Sequence, residues 1–314
     1  MLEIKDLKKS YGKFIALDGV SLNIGKGEIF GFVGPNGAGK TTTMKIVAGL
    51  LEADFGEVYV DGIDGMRENK KLKEKIGYMP DFFGVYENLK TIEYLEFYAS
   101  IYGVVGKEAK KLSMDLLEIV NLKDKADFYV DGLSRGMKQR LCLARSLVHN
   151  PELLILDEPA SGMDPRARYE MKSILKNLRE MGKTILISSH ILPELAELCT
   201  NIGIIEDGKM VVTSTVDEIM MKMNYAHPIK IKLLDKVEGG VKLLKELPYL
   251  NNLIVDNNNI TVGFGGKEEE MVEVLKVLIN NDIPVVSFAK ESGNLEDIFM
   301  KITEKQHKIV LTNL

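Results

Sequence analysis

Cysteine is nearly absent from this chain. The two present, Cys142 and Cys199, stand alone in helical-looking stretches and form no CxxC pair. Neither a disulfide framework nor a zinc site is indicated, and a reducing, cytoplasmic setting is expected. An excess of positive charge is also missing. The 41 basic and 46 acidic side chains leave a formal charge of -5, which gives no overall electrostatic footprint for nucleic acid. Long apolar runs are lacking as well. The opening MLEIKDLKKSYG has no apolar signal-peptide core, and nowhere do about 18 apolar residues run together as a membrane span requires. Any role at a membrane must then be borrowed from a partner. There is no internal repeat or low-complexity tract, and 314 residues suit one large domain with a smaller one.

Glycine, by contrast, is concentrated where it does chemistry. The segment GEIFGFVG reads as a short apolar strand, GPNGAGKTT as a glycine-rich loop, and TTTMKIVAGLL as a helix with Met44, Val47 and Leu51 at helical spacing. Strand, loop and helix are the context a P-loop requires. Gly34, Gly37, Gly39, Lys40 and Thr41 satisfy G-x-x-x-x-G-K-[ST]. Main-chain N–H groups from Gly34 through Pro35, Asn36, Ala38 and on to Thr42 would close around phosphate oxygens, except at Pro35, which has no N–H. Lys40 reaches the β and γ phosphates, and Thr41 offers its hydroxyl to Mg2+. Two further apolar runs, LLILDEP and TILISSH, end in polar residues, as expected of buried parallel strands in a doubly wound α/β core. Asp157 at the first strand end is placed to hold the magnesium shell, and Glu158 to face an attacking water. His190 closes the other strand and is expected to meet the γ-phosphate.

A second helix start lies far from the first. Ser134 reads as the N-cap of the helix in LSRGMKQRLCLARSL, and exposed N–H groups at such a start attract anions. Between about Asn88 and Val148 the apolar spacing is helical throughout, predicting an insert in the sheet domain. Asp207-Gly208 between two apolar runs predicts a hairpin, and Thr215 to Glu218 has the pattern of a capping box opening VDEIMMKM. From about Ala226 the elements shorten into the β-α-β-β-α-β order of a ferredoxin-like α+β unit, followed by a final helix NLEDIFMKITEK. The expected division is 1–224 and 225–314, with the boundary near Asn224.

The P-loop, then LSRGMKQR, then LLILDEP followed by SGMDP, then SSH, together resemble the nucleotide-binding subunit of an ABC transporter, over roughly residues 1 to 220. LSxGxxQR just ahead of the acidic strand is the discriminating motif. The resemblance implies a P-loop fold of ABC type, a mixed sheet with a helical subdomain, and ATP hydrolysis with Mg2+. It implies two subunits meeting head to tail, so that Ser134 and Gly136 of one complete the ATP site of the other. By the same likeness Tyr11 stacks on adenine and Asp164 communicates across the dimer. A separate integral membrane permease is the implied partner, with this chain peripheral on the inner face of the cell membrane and no nucleic acid involved. The small C-terminal domain is similar to that of bacterial drug and antibiotic export systems.

One position departs from the family. A glutamine usually follows the strand IGYMP, where Asp81 stands here; a carboxylate can still favour Mg2+ but, when ionised, donates no hydrogen bond to a water. Beyond it, Phe82, Phe83 and Tyr86 read either as core or as contacts for a membrane partner. A soluble ABC ATPase acting on ribosomes or DNA is the first alternative. It usually carries two nucleotide domains or a long coiled coil, and the sequence has neither. The second is a nucleotide-gated switch with weak turnover, Asp81 having sacrificed hydrolysis.

Overall fold

The computed structural model describes residues 1–82, 84, 88–189, 192–216, 218 and 228–290. Chain contacts divide it into two compact units, Met1–Ser214 and Thr215–Leu314. The boundary expected near Asn224 lies outside the described residues, as do most of the helix expected at VDEIMMKM and all of the final one.

In the first unit an antiparallel sheet runs in the order β2-β1-β4-β5, from β1 (Leu2–Tyr11), β2 (Phe14–Ile24), β4 (Phe55–Val60) and β5 (Ile63–Asp64). A second, six-stranded sheet has the order β10-β9-β3-β8-β7-β6. Its strands are β3 (Ile29–Val33), β6 (Ile76–Met79), β7 (Leu153–Leu156), β8 (Thr184–Ser189), β9 (Asn201–Glu206) and β10 (Lys209–Thr215). From β9 through β3, β8 and β7 to β6 every pairing is parallel. Every residue of β3, β7 and β8 is buried, which is why these strands read as unbroken apolar runs rather than alternating ones. β9 and β10 join through Asp207 and Gly208, both at positive φ (46° and 74°), the geometry the hairpin signal predicts.

The P-loop helix α1 (Lys40–Val47) is shorter than its apolar spacing suggests. Gly49, at φ 65°, turns the chain left-handed; its N–H donates to Ile46 O and that of Leu50 to Lys45 O, so the helix ends and Leu51 lies beyond it. α2 (Asn69–Lys75) precedes β6. The span from about 88 to 148 holds α3 (Thr91–Ile101), α4 (Gly106–Ile119) and α5 (Arg135–Leu147); α6 (Pro165–Glu180) and α7 (Leu192–Leu198) follow later.

One core joins both sheets to α1. Leu2, Ile4 and Leu7 of β1, Leu17 and Val20 of β2, Phe30 and Phe32 of β3, Met44 and Val47 of α1, and Ile155 of β7 all belong to it. Each such side chain contributes about 1.5–3 kcal/mol by leaving water. The loop between β3 and α1 is therefore anchored at both ends in this core.

The second unit has its own sheet, order β12-β13-β11-β14 and antiparallel throughout, from β11 (Ile229–Leu233), β12 (Leu250–Asp256), β13 (Asn259–Phe264) and β14 (Val285–Lys290). With α8 (Val237–Lys245) and α9 (Glu268–Asn280) this is the ferredoxin-like order expected from the sequence. Ile229, Ile231 and Leu233 alternate with exposed Lys230 and Lys232, so one face of β11 meets Leu244, Val274 and Leu278 in a separate core. Among the described residues no helix is long and apolar enough to cross a membrane.

Candidate nucleotide site

The loop Gly34–Gly39 leaves the carboxyl end of β3, one of the two central strands of its sheet. Gly39 sits at φ 109°, and a Cβ there would lie 2.7 Å from Ala16 O, so no other residue fits without moving the β2 backbone. It also serves as N-cap to α1 with no side-chain bond, leaving the first N–H groups of the helix directed at the loop. Pro35, Asn36, Gly37 and Thr41 are exposed, Thr42 is half-buried, and Gly34 and Ala38 are buried. Lys40 is only 7% exposed. Its ammonium donates to Gly34 O at 2.6 Å and to Pro35 O at 3.2 Å, so it stands over the loop. Burial holds its pKa below the ordinary lysine value, while Glu158 and then Asp157 pull it back up.

Those two carboxylates come from the end of β7, one strand removed from β3 across β8. Asp157 is 2% exposed, and its N–H donates to Met79 O of β6 at 2.8 Å. Glu158 adopts φ 50°, a left-handed conformation that a residue with a Cβ enters at a cost of about 1–3 kcal/mol. Ser188 of β8 links the pair: its hydroxyl donates to Asp157 Oδ1 at 2.7 Å and accepts from Glu158 N–H at 2.9 Å. Ser188, a serine inside an apolar run, carries no local signal in the sequence. Tyr78 of β6 is half-buried; burial, then Asp157, then Asp81 push its phenol well above the ordinary range. Asp81, just past β6, is thus within electrostatic reach of the same strand ends. His190, expected beside them, lies outside the described residues.

α5 begins as predicted. Ser134 is its N-cap, and the hydroxyl accepts from Met137 N–H at 3.3 Å. A Cβ on the buried Gly136 would come 2.8 Å from the Ala167 Cβ of α6, so the glycine allows the two helices to approach. Gln139 Nε2 donates to Ser161 O at 3.2 Å, tying α5 to the segment that follows Glu158. Asp164 caps α6, its Oδ1 accepting from Ala167 N–H at 2.9 Å. Tyr11 pairs with Phe14 at the end of the β1–β2 hairpin; its ring is 50% exposed, and Lys9 lies over it at 5.7 Å. Phe82 is 86% exposed, which removes core packing as its explanation, while Phe83 and Tyr86 lie outside the described residues.

The donors gathered here suit Mg2+: a threonine hydroxyl at the start of α1 and carboxylates at the strand ends are hard oxygen ligands. Among the described residues there is no cluster of three or more His, Cys, Asp or Glu placed to hold a metal ion. Lys40, the loop N–H groups, Asp157 and Glu158 define a P-loop nucleoside triphosphatase, and the second anion-facing helix start narrows the class further.

Comparison with known proteins agrees. Residues 17–161 match the family described as ABC transporter. Over 96% of its length, and 98% of the relative's, the chain is 34% identical to the linearmycin resistance ATP-binding protein LnrL of Bacillus subtilis (strain 168). It is likewise 34% identical to the bacitracin transport ATP-binding protein BcrA of Bacillus licheniformis, over 96% of this chain and 97% of that one. Among solved structures, an ATP-binding subunit of an ABC transporter superposes with a TM-score of 0.64 at 30% identity, covering 71% of this chain and 93% of that one. A dimeric ATP-binding cassette in a post-hydrolysis state, bound to ADP and Pi, gives 0.63 at 28% identity, covering 69% and 99%. The chain belongs to the ABC transporter family, as an ATP-binding subunit that hydrolyses ATP to power transport.

Proposed function

We propose that two copies of this chain close on ATP head to tail beneath a separate integral membrane permease, at the inner face of the cell membrane. The cycle exports a compound of the antibiotic or drug class. The relatives named for linearmycin resistance and bacitracin transport support the direction and the cargo class. One observation carries the dimer: besides the helix start under the Lys40 ammonium, the chain offers a second one suited to phosphate, capped by Ser134. Each is half of a site, so ATP acts as a removable electrostatic link between subunits.

In this reading Tyr11 stacks on adenine, and Gly34 to Thr42 with Lys40 grip the phosphates. Thr41 and Asp157, with Asp81 beside them, would hold magnesium, which would supply positive charge against the phosphates. Glu158 draws a proton from the attacking water, and His190 contacts the γ-phosphate. Ser134 and Gly136 arrive from the other subunit, and Asp164 carries its state across the interface. Residues 1–224 form the ATPase domain and 225–314 an accessory one, with exposed Phe82 part of the surface offered to the permease.

The test is Glu158→Gln. Turnover should fall by about 100-fold or more, and ATP should trap a dimer visible by size-exclusion chromatography with light scattering. Monomers at saturating ATP would sink the proposal.

A further inference from the structure

Ser188 stands inside an apolar strand, where a hydroxyl needs a reason to be. All six residues of β8 are buried, and Ser188 is fully so. Buried hydroxyls are kept by their hydrogen bonds. The pairing of β7 with β8 runs Leu154 to Ile185, Ile155 to Leu186 and Leu156 to Ile187, which brings Asp157 alongside Ser188 at the next step.

The directions of its two bonds follow from chemistry. A backbone N–H only donates, so Glu158 N–H meets an Oγ lone pair, at 2.9 Å. The single hydroxyl hydrogen then goes to Asp157 Oδ1, at 2.7 Å. One group thereby holds two adjacent acids by different parts, Asp157 by its carboxylate and Glu158 by its main chain. The second hold matters because Glu158 is at φ 50°, where a residue with a Cβ stays only if its surroundings keep it there. On the other side of that residue, Ser161 N–H donates to Glu158 O at 3.0 Å.

We propose that Ser188 is a positioning residue of the ATPase site, orienting the Asp157 carboxylate through Oδ1 and fixing the left-handed backbone that aims Glu158. The inference rests on the roles given to Asp157 and Glu158 above and adds the residue that keeps those roles apart.

Ser188→Ala and Ser188→Thr in the full chain test it, each alone and combined with Glu158→Gln. Ser188→Ala should lower kcat by about 10- to 100-fold. ATP binding in EDTA should be unchanged by that substitution, while the gain in affinity on adding Mg2+ shrinks, as followed with a fluorescent ATP analogue. Ser188→Thr, which keeps the hydroxyl, should restore most of both. In the Glu158→Gln background Ser188→Ala should add little to the loss of turnover, since residues acting as a unit are not additive. Wild-type kcat and Mg2+ response in Ser188→Ala would overturn the inference, and so would equal losses of binding with and without Mg2+, or a folded Thr variant no better than Ala. Undiminished turnover in Glu158→Gln alone would instead overturn the functional reading beneath it.

Discussion

Two helices of this chain begin where phosphate can be received, and they begin differently. α1 opens from a left-handed glycine with no side-chain cap, growing out of a central strand, with the buried Lys40 ammonium at its first residue. α5 opens from Ser134, whose hydroxyl already satisfies one N–H of the first turn; Ser134 and Arg135 are exposed, and Gly136 behind them is buried. The first start thus joins a full charge to a fixed loop. The second offers the partial charge of a helix end, about +0.5, with the exposed Arg135 at its first position and no glycine-rich loop around it. On the proposed reading a grip of the first kind holds a nucleotide alone, whereas the second meets phosphate only when another subunit presents it.

The largest expected effect separates the two. Lys40→Ala removes the full charge and both of its hydrogen bonds to the loop. Nucleotide affinity should fall by about 100-fold or more, since a charge-assisted contact to phosphate is worth about 3 kcal/mol. Equilibrium titration of nucleotide into the nucleotide-free monomer measures it, and near-normal affinity would place the grip elsewhere. Gly136→Val should act on the other start. The added side chain meets Ala167 of α6 and forces the helices apart, costing about 1–3 kcal/mol of stability. Monomer affinity should stay within about 3-fold, because 0.6 kcal/mol is little more than RT, while ATP-dependent dimerisation is lost. If Gly136→Val weakened monomer binding as Lys40→Ala does, the two starts would not be separate halves.

The first start was legible in the sequence and the second only partly, for a physical reason. Phosphate binding by backbone needs glycine at fixed short spacing, and β3 and α1 flank it immediately, so the whole device is local. Ser134 was legible as a cap for the same reason. Leu51 was misplaced because helical spacing continues past Gly49, whose left-handed φ stops the helix. The sheet β2-β1-β4-β5 left little trace. β1 pairs with β4 some fifty residues on, and register shifts between Ile4 and Leu7 and between Lys9 and Ser10 break the alternation that would have marked it. Ser188 was missed because its partners are 30 and 31 positions away, and nothing beside it in the chain records them. Asp157 and Glu158 were found because they end an apolar run. What orients them was not, because sheet order is set by packing between strands distant in sequence.

The smallest effect is one of pH, and it belongs to the first start alone. Burial lowers the pKa of Lys40 from 10.5, with Glu158 and Asp157 opposing. Without nucleotide, the folded protein therefore releases this proton at lower pH than the unfolded chain does. In that alkaline window the unfolded state binds more protons, so the Lys40 contribution to folding stability rises with pH. Nucleotide affinity moves the other way, because phosphate grips the ammonium and must restore the proton. Affinity measured from about pH 8 to about pH 10 should decline, while the nucleotide-free melting temperature carries a rising component over the same range. Lys40→Ala should abolish both slopes, and Gly136→Val should leave both intact. A decline that persisted in Lys40→Ala would assign the alkaline limb to another group and detach it from the first helix start.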